Sequence, residues 1–308
     1  MSHGPPPGER FWRDALIVAR NEWQDALRSR RGMVVLLLFL AGSVGGTLLQ
    51  IAFIQSIERN LARALILEPT DGAGSMTATL WKNDSFRRTV TDMVDDPDLA
   101  EALLSVPPLS LFFCGMLFIV TPLLVAMTSS HRLAEDIWTG AGRFVLFRTS
   151  RLSWCLGKFG GQAAVLLFAV LASVPAAWLC GWFRMEDYPG WATFVAMLGF
   201  AAKAWVYALA FLGLVSGVSL LVRNPGLATA IGVIALAVVS AIYHACGYYA
   251  GSGWRIALDA PRFLTPQAYY VDLLHPDLRH AGPAMLSLIN LALAYLLLGY
   301  ARLKRRDV

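Results

Sequence analysis

Between His131 and Lys158 the chain concentrates groups able to make directed polar contacts: HRLAEDIWTGAGRFVLFRTSRLSWCLGK. Glu135 and Asp136 supply carboxylates, and Arg151 and Lys158 supply cations seven residues apart. Gly140 and Gly142 interrupt the stretch, and Phe144, Val145, Leu146 and Phe147 form a compact apolar ridge before Gly157–Lys158. No nucleophile–base pair or metal-ligand spacing occurs in it. The chemistry on offer is recognition: charge-assisted hydrogen bonds at the ends and an apolar surface between them. The pattern predicts a short helix, a break and a second helix. A partner protein and the inner leaflet itself are both suited to cover the Trp and Phe side chains.

The remaining chain lacks the common catalytic signatures. There is no GxxxxGK[ST] phosphate loop, HExxH or GxSxG, and GGQAA at 160–164 lacks the lysine of a phosphate loop. His244 stands alone. The DDPD run at 95–98 lacks the spacing of a calcium loop. Asp95 and Asp96 read instead as a turn before Pro97, with Asp98 near the start of a short helix. Cys114, Cys155, Cys180 and Cys246 show neither CxxC nor His-paired spacing, which supports no disulfide framework and no metal site. The chain itself is expected to be neither an enzyme nor a cofactor binder.

What must position the 131–158 stretch is a membrane bundle. Of 308 residues 56% are hydrophobic and only 15% charged, and the mean hydropathy is +0.54. A soluble domain carries roughly 25% charge. Apolar runs approach or exceed the ~20 residues that cross a bilayer. The expected fold is an all-α polytopic membrane protein with spans at about 32–54, 108–130, 159–183, 196–222, 226–246 and 283–301. The first follows a long polar leader, which argues against a cleaved signal peptide. With both termini cytoplasmic, sixteen of the 26 Lys and Arg residues fall inside, as the positive-inside rule asks. The pI of 9.2 is then a topology signal and no indication of nucleic acid.

Residues 1–31 read as a cytoplasmic leader and an amphipathic interfacial helix. Trp12, Leu16, Ala19, Trp23 and Leu27 share one face, opposite Asp14, Asn21, Asp25 and Arg28. Within the remainder, 32–308, the segment 55–107 is acidic and is expected to form a small helical cap outside. The segment 131–158 is the inner loop. GxxxG pairs occur at Gly42/Gly46 and Gly213/Gly217, and packing within the chain is favoured over a dimer contact. Lys203, inside an apolar run, is expected to mark the outer edge of span 4 and snorkel. Buried carboxylates are missing from the spans, which weighs against ion-coupled transport.

The stretch resembles the permease subunit of ABC-2 type ATP-driven exporters. Those permeases carry a glutamate before Gly-Thr, a Leu-rich stretch, a Pro-x-Ser-Arg and a Gly-Lys seven residues on. Glu135, Ser150–Arg151 and Gly157–Lys158 match, while Thr139–Gly140 inverts the Gly-Thr and Arg148 replaces the proline. An N-terminal elbow helix containing ARNEWQDALRSR, the six-span order and the basic LKRRDV tail agree with the same family. The resemblance implies a bacterial inner-membrane location and a dimer with a second permease copy or paralogue. It also implies separate ABC-type ATPase subunits that hold the ATP and Mg. Glu135, Asp136, Gly140, Phe144, Phe147, Arg151, Gly157 and Lys158 would then form an ATPase-coupling lever, with Glu135 and Arg151 locking its ends. Trp12, Leu16, Trp23 and Leu27 would hold the elbow on membrane lipids. The competing reading is a non-transporting anchor that passes ATPase work to an outer partner. Substrate identity is not encoded legibly.

Overall fold

The computed structural model describes residues 7–65, 87–88, 91–92, 96–185, 190–249 and 260–305. Among them six helices are long and apolar enough to cross a membrane. Span 1 is the helix Arg30–Leu65, span 2 Pro108–Ser129 and span 3 Arg151–Arg184. Span 4 is Trp191–Leu221, span 5 Pro225–Tyr249 and span 6 Leu278–Lys304. A separate N-terminal helix, Pro7–Arg28, precedes them. The all-α polytopic fold read from hydropathy is the fold observed.

The helices outrun the apolar stretches. The helix that carries span 1 continues to Leu65, although its candidate membrane span, Leu36–Ser56, ends close to the expected 54. Span 3 starts at Arg151, so residues 151–158, expected in the loop, form its first two turns. The cause is local: Ser150 has an extended backbone (φ −68°, ψ 147°), and its Oγ accepts from the Ser153 N–H at 3.0 Å. That is an N-cap, and it sets the helix start regardless of the charges that follow.

Residues 66–86, 89–90 and 93–95 of the expected 55–107 cap, Asp95 among them, lie outside the described residues, as do 1–6, 250–259 and 306–308. The described part holds a short helix, Pro97–Leu104. Asp96 caps it, accepting from the N–H groups of Asp98 (3.0 Å) and Leu99 (3.4 Å). The acidic run therefore starts a helix at this point, with Pro97 in the first turn where its missing N–H is harmless.

Span 4 is the centre of the bundle, with 78% of its most apolar window buried, against 17% for span 5. Its closest partner is span 6. A side-chain carbon placed on Gly213 would run into the Ala292 backbone, and one on Gly217 into the Tyr295 carbonyl. Gly299 of span 6 in turn faces the Gly217 backbone. In lipid, where there is no hydrophobic drive between helices, this close approach supplies dispersion contacts that bulkier residues would forbid. The second GxxxG is thus an intrachain contact. Gly46 of the first faces Met116 of span 2 at 3.2 Å, more loosely.

Lys203 does not snorkel. It is buried in span 4, and its Nζ donates to the carbonyls of His275 (2.5 Å) and Pro276 (3.2 Å), 5.2 Å from the Phe200 ring. The charge is solvated by backbone oxygens of the segment before span 6. That segment contains the short helices Pro266–Tyr269 and Tyr270–Leu274, with Leu273 fully buried. Asp277 caps span 6. The Arg279 N–H that it accepts holds its carboxyl below the usual carboxylate range.

Candidate functional site

The loop after span 2 folds as two short helices, Arg132–Trp138 and Ala141–Leu146. Thr139 donates its N–H to the Glu135 carbonyl at 2.9 Å and ends the first. Gly140 then takes φ 75°, the left-handed conformation that turns the chain at little steric cost for glycine alone. The first loop helix is fixed to the bundle: Leu133 and Ala134 are buried, and the Ala134 N–H donates to Ser219 Oγ of span 4 at 2.9 Å. The second projects outward. Phe144 is 77% and Phe147 86% exposed, and Trp138 is also exposed, while Val145 packs on a small core of Trp154, Leu220, Leu296 and Leu303.

Behind this loop lies an ion triad with one buried member, Glu22, and two partly buried ones, Asp136 and Lys158. Lys158 Nζ is 2.6 Å from Glu22 Oε2 and 2.7 Å from Asp136 Oδ2. One ammonium therefore joins the N-terminal helix, the first loop helix and span 3. Glu22 is only 3% exposed, so the pair has little water to compete with it. The attraction of such a group is offset by the cost of drying three charges. Its firm consequence is that removing the shared ammonium leaves two carboxylates uncompensated, a loss of about 3–5 kcal/mol.

The Gly-Lys pair explains itself in this geometry. A side-chain carbon on Gly157 would sit 2.6 Å from the Ala15 carbonyl oxygen and 2.6 Å from Val18 Cβ. One on Gly161 would meet Glu22 Cβ at 2.6 Å. These two glycines let the N-terminal helix lie directly on span 3, which places Glu22 within reach of Lys158. The helix accordingly buries Ala15, Val18, Glu22 and Ala26 and leaves Trp12, Leu16 and Leu27 exposed. Trp23 is half-buried, edge-on to Phe168 of span 3 at 5.6 Å.

The other expected residues occupy different places. Arg151 Nη1 donates to the carbonyls of Leu303 (3.3 Å) and Lys304 (3.2 Å), the last turn of span 6. They are the last carbonyls of that helix, where a cation also suits the helix dipole. Glu135 is half-buried, 3.9 Å from His131 Nε2 one turn back. Asp136, Gly157 and Lys158 thus come together, whereas Glu135, Arg151 and the phenylalanines stand at separate contacts. Glu22 was missed from sequence. The available signal was that it is the acidic member of a stripe, 15, 18, 22 and 26, of otherwise small apolar residues.

No curated protein sequence matches the chain. A family model described as ABC-2 family transporter protein matches residues 16–308, from within the N-terminal helix through span 6. With the six spans and nearly all of the chain inside that match, the protein belongs to the ABC-2 family of transporter membrane proteins.

Proposed function

We propose that this chain is the permease subunit of an ABC-2 type exporter. It forms the substrate pathway with a second copy or a paralogue and is driven by separate ATPase subunits that hold the ATP and Mg. Both termini and the loop after span 2 are cytoplasmic in this reading, and the N-terminal helix is the elbow on the inner leaflet. The observation that carries it is the exposed pair Phe144 and Phe147 on a loop wired through Asp136, Lys158 and Glu22 to two other elements. A partner that moves the loop helices thereby moves span 3 and the elbow together, which is what a lever between two bundle states requires. Span 5, with the smallest buried share of any span, is the face offered to the second copy.

The reading is tested by isolating the complex in mild detergent. The wild-type chain is expected to bring down an ATPase subunit carrying a phosphate loop. The double variant Phe144→Asp/Phe147→Asp should recover that subunit at least about tenfold less well, roughly 1.4 kcal/mol or more. Its melting temperature should not change, because neither side chain is buried. Equal recovery of the ATPase by variant and wild type would remove the phenylalanines from the docking surface. Absence of any nucleotide-binding partner from the wild type would sink the exporter reading itself.

A further inference from the structure

Beside the triad is a half-open cleft of about 30 Å³, lined by Glu22 and Ala26 of the N-terminal helix, Thr128, Ser129, Arg132, and Gln162 of span 3. Gln162 is 94% buried by its 6% exposure, yet neither its amide nitrogen nor its oxygen has a hydrogen-bond partner. A buried amide left open at both ends has lost its water without gaining a partner, so something outside the chain must serve it. Arg132, in the same cleft, makes no hydrogen bond or ion pair among the described residues. One wall thus lacks an acceptor for a guanidinium and an amide N–H, and a donor for an amide oxygen.

We propose that this cleft binds the head group of a phosphoethanolamine lipid, with the phosphate on Arg132 and Gln162 Nε2 and the ammonium toward Gln162 Oε1 and the Glu22 carboxylate. Charge selects the zwitterion. Glu22, Asp136 and the neighbouring Glu135 face Lys158 and Arg132, so the surroundings hold no excess cation for a net anion to gain. Water alone would satisfy Gln162 but would give the guanidinium only a neutral acceptor, a weaker partner than a phosphate oxygen. Position selects a lipid over a soluble phosphate. The cleft opens between two candidate spans and a helix whose Trp12, Leu16 and Leu27 are exposed apolar side chains. A head group held there would wedge between the N-terminal helix and spans 2 and 3, next to the triad. The inference is independent of any ATPase partner.

The purified chain is incubated with phosphatidylethanolamine, phosphatidylcholine or phosphatidylglycerol, and the retained lipid is counted by native mass spectrometry. Melting is followed in parallel, with inorganic phosphate as a further probe. Phosphatidylethanolamine should be retained at least five-fold over phosphatidylcholine, which has the same phosphate but no N–H donor. Arg132→Gln and Gln162→Leu should each abolish that preference and the accompanying rise in melting temperature. Two variants on different elements guard against one failing to fold. Equal retention of the two lipids by the wild type, or a preference surviving in both variants, would overturn the proposal. A stronger response to phosphatidylglycerol would make the occupant a net anion, and an equal response to inorganic phosphate would make it a free ion. Gln162→Leu melting above the wild type with no lipid-dependent change would show a site for water only. Each of these three results also overturns it.

Discussion

Lys158→Met is expected to cost more than any other single substitution at the loop end of the bundle. It leaves Glu22 and Asp136 facing each other with no cation between them, at the junction of three helices. A loss of about 3–5 kcal/mol is a large part of the 5–15 kcal/mol that holds a typical protein together. The purified variant should melt well below the wild type, and in the proposed exporter complex the coupled ATPase activity should fall to the uncoupled level. Glu22→Gln should be milder, because Asp136 still pairs with Lys158. The triple variant Glu22→Gln/Asp136→Asn/Lys158→Met separates stability from function. With no charge left buried it should regain most of the melting temperature but not the coupling. A Lys158→Met protein as stable and as coupled as the wild type would show that the triad is incidental.

Gly213→Leu is the second large effect, and it acts through shape alone. The Ala292 backbone occupies the space that any side chain would need, so spans 4 and 6 must separate. Overpacking of this kind costs about 1–3 kcal/mol where neighbours can shift, and more where the obstacle is main chain. Recovery of folded protein in detergent should collapse, and Gly213→Ala should already lower the melting temperature. The control lies on the same helix. Gly199 has nothing within 4 Å of its would-be side chain, so Gly199→Ala should be neutral or stabilise by up to about 1 kcal/mol through helix propensity. Comparable melting of Gly213→Ala and Gly199→Ala would refute the close crossing.

Spans 1 to 6 were legible because lipid imposes one requirement, apolar length, that sequence displays directly. Their ends were not, because helix ends follow caps. Ser150 starts span 3 two turns before its apolar part, so Arg151 and Lys158 looked like loop charges. The glycine break at 140 and the turn at Asp96–Pro97 were readable, since each depends on its own neighbours in the chain. Lys203 was misjudged, because the carbonyls that receive it come from residues 275 and 276. Glu22 was missed for the same kind of reason. On a helical wheel it is an ordinary polar position, and only the glycine surface of span 3 makes it an interior one. Burial of a charge is a property of a pair of elements, and one element's pattern does not contain it.

The distance along the chain between Glu22 and Lys158 has a consequence in time. The two residues are 136 positions apart, so the ribosome delivers the carboxylate long before its cation. Until span 3 has been inserted, Glu22 has no reason to leave water, and the N-terminal helix has no glycine surface to lie on. Docking of that helix is therefore a late event relative to its own synthesis. A helix made before all six spans is secured only once the third is present, so its docking reports that the first half of the bundle is in place.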